Sequence, residues 1–409
     1  MTTNGLLPVS AVLLAGCLLC ALPAAAVDAL VPQETLSVTL AEGLYTDLYA
    51  LAPAPDGGFY VGGLGYRPGS ADNALLVRYA PDGTVTWQQR FEGDIVTACV
   101  PDTGDGYICT VSESPGMFSA AETAGNASVQ YLSADGTARF GVPLPGKYAS
   151  ACVPRSGGGC AVAGWSWADS SGFLGEYDAD GTLIRELTFA GLVPYALAAA
   201  PGGGYVLAGA TTARADTPTD AWLLAVDASG AELWRREYAG RAAFSLLPLG
   251  GGGWLVAGST ESYPSFAGSA WYLAADEEGN GEIVQTEGLA FYGASPLAGG
   301  GYLLAGKWGN SGMLRVIGED GREGPLTVLN ATDGRINALA AMPDGTVLAA
   351  GWERSGSSVS GVVRGYIVSA AAPAQETAAA TTPASAGTPA AYCAAAGAIA
   401  LGARLRLRR

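Results

Sequence analysis

Histidine is absent from the 409 residues. Ser-His-Asp and Cys-His nucleophiles, imidazole proton shuttles and His-ligated zinc are thereby excluded. Cysteine, carboxylate and aromatic side chains are left to do chemistry. Cys17 and Cys20 lie in an apolar leader and Cys393 in the tail, so Cys99, Cys109, Cys152 and Cys160 remain, an even number. Cys99 and Cys109 flank one expected hairpin turn, and Cys152 and Cys160 flank another. Two readings stand: disulfides within or between repeats, or buried free thiols in apolar slots. Without a histidine base, no nucleophilic cysteine is expected.

Asp82-Gly83, Asp135-Gly136, Asp180-Gly181 and Asp320-Gly321 could suggest calcium. Residues 178–181 start like an EF-hand loop but lack its later ligands. They read instead as type I′ or bulged hairpin turns, where Asp and Gly tolerate positive φ. No metal and no cofactor is expected. No carboxylate pair stands out for acid/base hydrolysis.

Another set of residues follows a recurring Ala-Gly. It comprises Tyr66 and Arg67, Trp165 and Trp167, Thr211, Thr212 and Arg214, Glu261 and Tyr263, Lys307 and Trp308, and Trp352, Glu353 and Arg354. Exposed aromatics with basic neighbours suit sugar rings or a partner protein, through stacking and amphipathic contact. The competing reading makes them strand ends folded over a core.

What positions these residues is a repeat. Gly57-Gly58-Phe59-Tyr60-Val61-Gly62-Gly63 recurs as Gly203-Gly204-Tyr205-Val206-Leu207-Ala208-Gly209 and as Gly252-Gly253-Trp254-Leu255-Val256-Ala257-Gly258. The residue before the aromatic, or its equivalent, stands at 58, 106, 159, 204, 253, 301 and 346, in steps of 48, 53, 45, 49, 48 and 45. Each segment reads as four short strands with turns between. Four strands at that period imply a blade of a β-propeller, an all-β ring. Seven blades of four strands are expected over residues 34–369. The seventh segment ends at its third strand, near Val368. The run Glu34 to Gly43 has the look of a fourth strand, so the N-terminal strand is expected to complete the last blade and close the ring.

The run Ala225-Val226-Asp227-Ala228-Ser229-Gly230-Ala231-Glu232-Leu233-Trp234 resembles the tryptophan-docking repeat of quinoprotein-like propellers. The stretch 34–369 resembles the secreted quinoprotein-like and WD-repeat-like propeller proteins of methanogenic archaea. The resemblance implies fold and export, not quinone catalysis, since no Cys-Cys pair is present. Trp87 and Trp234 match the docking position, while Phe140 and Arg185 replace the tryptophan elsewhere.

The ends give an address. Residues 1–26 read as a signal peptide, with cleavage, lipidation at Cys17 and a retained anchor all open. Residues 370–389 are an Ala/Thr/Pro-rich linker. Residues 390–409 join a short apolar run to Arg404, Arg406, Arg408 and Arg409, a layout similar to surface-sorting tails, or else a plain anchor. Asn126 and Asn330 head glycosylation sequons that agree with export. Net charge is −16, which disfavours nucleic acid as a partner. The expectation is a monomeric, non-enzymatic propeller displayed on the cell surface. It would bind a glycan, envelope component or partner protein, and meet the membrane only through its terminal segments. The alternative is an exported polysaccharide lyase or hydrolase with acidic residues at the channel mouth.

Overall fold

The computed structural model describes residues 30–370 apart from 103–105, 114–124, 167, 170, 213–218, 261–267 and 330–332. The signal peptide with Cys17, the linker, the tail, Trp167, Tyr263 and Asn330 lie outside the described residues.

The described residues form strands throughout, arranged as seven four-stranded antiparallel blades. Blades 1 to 6 occupy residues 45–91, 95–144, 147–189, 193–238, 242–285 and 290–328. Blade 7 takes three strands from residues 334–370 and its fourth from Leu30–Leu40. That strand runs antiparallel to Ser358–Ala370, pairing Leu36 with Gly365 and Glu34 with Tyr366. It starts four residues earlier than the sequence suggests. The innermost strands touch from blade to blade, and blade 7 returns to blade 1. The ring is therefore closed, and its first strand holds its last blade.

Strand position explains burial. Second strands such as Tyr205–Ala210 and third strands such as Ala221–Val226 are buried along their whole length, sandwiched between neighbouring blades. Those strands are near-continuous apolar runs, as two-sided burial requires. Outer strands such as Glu232–Tyr238 alternate exposed and half-buried positions. Trp222 and Trp271 are fully buried, and each indole N–H donates to a carbonyl of the neighbouring strand, Ala210 O at 2.8 Å and Ser259 O at 2.9 Å. Burying an indole with its donor satisfied keeps the apolar gain without a desolvation cost.

The Asp-Gly turns are bulged hairpins rather than type I′. At 80–84, Gly83 N–H donates to Ala80 O, Ala80 N–H to Thr84 O, and Gly83 has φ 82°. This is a type I turn followed by a left-handed glycine. The turn aspartates accept backbone bonds; Asp178 Oδ1, for example, takes Asp180 N–H at 3.0 Å and Thr182 N–H at 2.8 Å.

The outer strands dock onto these turns. A Cβ on Gly136 would lie 2.7 Å from the Trp87 ring, whose Nε1–H donates to Ala134 O at 3.2 Å. Phe140 covers Gly181, Arg185 covers Gly230 and Trp234 covers Gly279 in the same way. At the closing seam Val38 and Leu36 cover Gly83. The interruption falls at Gly321, where a Cβ would meet nothing within 4 Å, because the outer strand of blade 5 is only Ile283–Gln285.

Candidate functional site

Every innermost strand carries one β-bulge, and at the same place. In blade 1 the register jumps between Leu48 and Ala50, leaving Tyr49 as the extra residue. The extra residues of blades 2 to 7 are Thr97, Ser150, Tyr195, Phe244, Tyr292 and Asn337. A bulge re-aims its side chain out of the pleat. All seven line one cavity of ≈ 220 Å³, together with Tyr148 and Trp165. At about 30 Å³ per water, that is room for roughly seven waters.

The repeated glycine exists because of the bulge. A Cβ on Gly164 would stand 1.9 Å from Tyr148 O, and one on Gly258 1.9 Å from Ala242 O. The inner-strand carbonyl comes in where a side chain would begin, which favours glycine there; blade 2 is the exception, keeping its bulge with Val111 opposite Val96.

The cavity has two unlike walls. On one, aromatic rings run from blade to blade. Tyr148 stacks on Trp165 with centroids 4.3 Å apart. Trp165 meets Tyr195 at 5.6 Å, Tyr195 meets Phe244 at 5.4 Å and Phe244 meets Tyr292 at 5.6 Å. On the other wall, the bulged residues of blades 7, 2 and 3 donate hydrogen bonds to the next blade. Asn337 Nδ2 reaches Leu48 O at 2.8 Å, Thr97 Oγ1 reaches Ala149 O at 2.8 Å and Ser150 Oγ reaches Pro194 O at 2.8 Å. Each acceptor immediately precedes the bulge of its own blade.

Between the walls, Arg335 lies over the rings of Tyr292 and Tyr49, at 5.4 Å and 5.5 Å. It donates to Asp47 Oδ2 at 3.0 Å and to Tyr49 Oη at 2.7 Å. The Tyr49 hydroxyl donates in turn to Asp47 Oδ2 at 2.7 Å, and Asn337 Nδ2 to Asp47 Oδ1 at 2.7 Å. Burial pushes the Asp47 carboxyl above the usual carboxylate range, and Arg335 pulls it part of the way back.

Most residues singled out after Ala-Gly are elsewhere. Among the described residues of that set, Trp165 is the one that joins the cavity. Trp165, Lys307 and Trp352 are buried, which agrees for these three with the reading of strand ends folded over a core. They end second strands, which are sandwiched between blades. Lys307, Trp352 and Arg354 form a rim cluster around Asp333, with Lys307 Nζ at 3.7 Å and Arg354 Nε at 3.0 Å from its carboxylate. Lys307 Nζ also lies 5.6 Å from the Trp352 ring centroid. Burial lowers the Lys307 ammonium below its usual value. Arg67 pairs with Glu42 at 2.8 Å, and Tyr66 O accepts Leu44 N–H at 2.9 Å. Trp308 is exposed.

Cys99, Cys109, Cys152 and Cys160 are buried free thiols. Cys99 and Cys109 face each other across the ladder, with sulfurs 2.8 Å apart. Asn126 is exposed, and its Oδ1 accepts Gly146 N–H at 3.1 Å. Among the described residues, no cluster of His, Cys, Asp or Glu is placed to hold a metal ion.

Reasoning from the sequence missed the bulged ring, although the signal was present. The residues at 49, 97, 150, 195, 244, 292 and 337 stand nine places ahead of the motif positions 58, 106, 159, 204, 253, 301 and 346. Their types differ, so only the spacing marks them.

No family model matches the chain, and no curated protein does. Solved structures similar to it include two propellers. The structure described as the Dos1 propeller superposes with a TM-score of 0.53 at 12% identity, covering 82% of this chain and 95% of that one. The structure of U3-55K superposes with a TM-score of 0.54 at 13% identity, covering 82% of this chain and 99% of that one. At such identities the likeness concerns the fold alone.

Proposed function

We propose that the chain is a non-enzymatic binding module, displayed outside the cell, that takes a glycan, envelope component or partner protein at the mouth of its channel. The observation that carries this reading is the convergence of seven bulged side chains, one from each blade, on a single cavity. These side chains tie neighbouring blades together through hydrogen bonds and ring contacts, and the same convergence offers a ligand contacts from all sides. The aromatic wall supplies contact area with little rotamer entropy to lose. The apolar leader at 6–26 and the basic-ended tail support display beyond the cytoplasm.

The runner-up is a polysaccharide-acting enzyme. Hydrolysis of a glycosidic bond generally uses two carboxyl groups flanking it. Among the described residues lining the cavity none is acidic, and the adjacent Asp47 is tied to Arg335, Tyr49 and Asn337. That favours binding over hydrolysis.

The test is a glycan and envelope-fraction binding screen on the whole chain, comparing wild type with a Tyr195→Ala, Phe244→Ala double variant. Binding that the double variant loses supports the reading. Binding that it keeps in full places the contact elsewhere and removes the reading.

A further inference from the structure

Resting on that reading of the channel as the binding site, we infer that its ligand is one neutral pyranose ring, such as the terminal sugar of a glycan. The chemistry of the two walls selects it. Among the described residues, the formal charges beside the cavity are Asp47 and Arg335, and they cancel each other at 3.0 Å. A cationic ligand would have to share Tyr49 and Tyr292 with the Arg335 guanidinium already over both rings. An anion would need donors, and the polar wall has committed its own. Thr97, Ser150 and Asn337 direct their hydrogens at the Ala149, Pro194 and Leu48 carbonyls of the next blade, respectively. The Asn337 amide orientation follows from this, because its nitrogen faces two acceptors, Asp47 Oδ1 and Leu48 O. What the wall offers a ligand is therefore acceptor lone pairs, on the Ser150 hydroxyl oxygen, on the Asn337 Oδ1 and on the Thr97 oxygen beside the bond it takes from the Thr110 hydroxyl at 2.8 Å. A ligand with several hydroxyl donors suits such a wall.

A wholly apolar ligand, or an apolar side chain of a partner, would strip water from those acceptors without replacing it, which is costly. The opposite wall, Tyr148, Trp165, Tyr195, Phe244 and Tyr292, wants an apolar face to stack on. A sugar ring has C–H faces for one wall and hydroxyl edges for the other. The volume, ≈ 220 Å³, has room for one such ring, and a longer glycan would enter by its end.

The test titrates the whole chain with a panel of neutral methyl pyranosides, a methyl uronide and tetramethylammonium, up to about 50 mM, a range that captures millimolar single-sugar affinities. Heat and Trp165 emission are both followed. The expected result is saturable binding of at least one neutral pyranoside. Phe244→Ala should weaken it at least tenfold, and Phe244→Leu less, the milder change guarding against misfolding. The emission change should vanish in Trp165→Phe. Saturable binding of the uronide or of tetramethylammonium, with none by neutral sugars, would overturn the ligand class and leave the channel as the site. A pyranoside that binds Phe244→Ala and wild type alike would overturn both. Silence from the whole panel overturns the pyranose, while the screen described above still judges the channel.

Discussion

Arg335 and Asp47 are 288 residues apart in the chain and meet at 3.0 Å, fully inside the seam where blade 7 returns to blade 1. Tyr49 and Asn337 occupy the remaining positions of the carboxylate. The attraction in such a pair roughly offsets the cost of drying it, so its consequence shows when one partner is removed.

Arg335→Met should therefore cost about 3–5 kcal/mol at neutral pH, because it leaves the Asp47 carboxylate buried without its counter-charge. Urea unfolding measures it. The sign with pH is unusual. Burial holds the folded Asp47 value above its ordinary 3.8, so its favourable contribution is present below the unfolded value and is lost as pH rises through the folded one. Without Arg335 that value rises further. The deficit of the variant should shrink on acidification; a deficit that grows would contradict the account.

Asp227 should behave in the opposite way. Its carboxylate accepts from Ser229 Oγ at 2.7 Å, Ser229 N–H at 2.8 Å and Ala231 N–H at 2.9 Å. The Ser229 hydroxyl bond, then the Ala231 amide, hold it below the usual 3.8. Its contribution is present above the unfolded value and lost as pH falls through the folded one. The stability gap between wild type and Asp227→Ala should be full near neutrality and close in acid. A gap independent of pH would assign the loss to the backbone of the turn.

Gly258→Ala tests the link between glycine and bulge. The new Cβ would overlap Ala242 O at 1.9 Å, and the expected loss is about 3 kcal/mol, the upper end for overpacking. Gly240→Ala is the control: φ is 68° with nothing within 4 Å, so only the left-handed backbone cost of about 1 kcal/mol applies. Equal losses would mean that the inner strand moves aside freely.

Burial raises the Cys109 thiol well above its ordinary value. At Cys152 the thiol hydrogen bond with Cys160 and burial act the same way. After reduction, native protein at pH 8 should resist iodoacetamide at both positions, while denatured protein alkylates quickly. Rapid native labelling of Cys109, read by mass spectrometry, would contradict its burial.

The ring and its closure were legible because the Gly-aromatic motif repeats and the last segment lacks a fourth strand. Trp87, Phe140, Arg185 and Trp234 were legible as packing residues, since one position recurs four residues after the glycine of each Asp-x-x-Gly-type turn. The site was not. Tyr49, Thr97, Ser150, Tyr195, Phe244, Tyr292 and Asn337 share no chemistry, and a bulge breaks the two-residue alternation on which strand reading relies. Ala-Gly was read as the end of a strand, when its glycine instead records a carbonyl pressed against it. Trp165 and Trp352 belong to the buried second strands, as the reading of strand ends folded over a core has it.

The most direct test of the channel as the binding site is to compare Phe244→Ala with Trp308→Ala, one inside the bulged ring and one exposed on the outer rim, for affinity toward whatever glycan or envelope component the screen identifies. The account predicts at least a tenfold loss for Phe244→Ala and less than a twofold change for Trp308→Ala. The reverse order would contradict it.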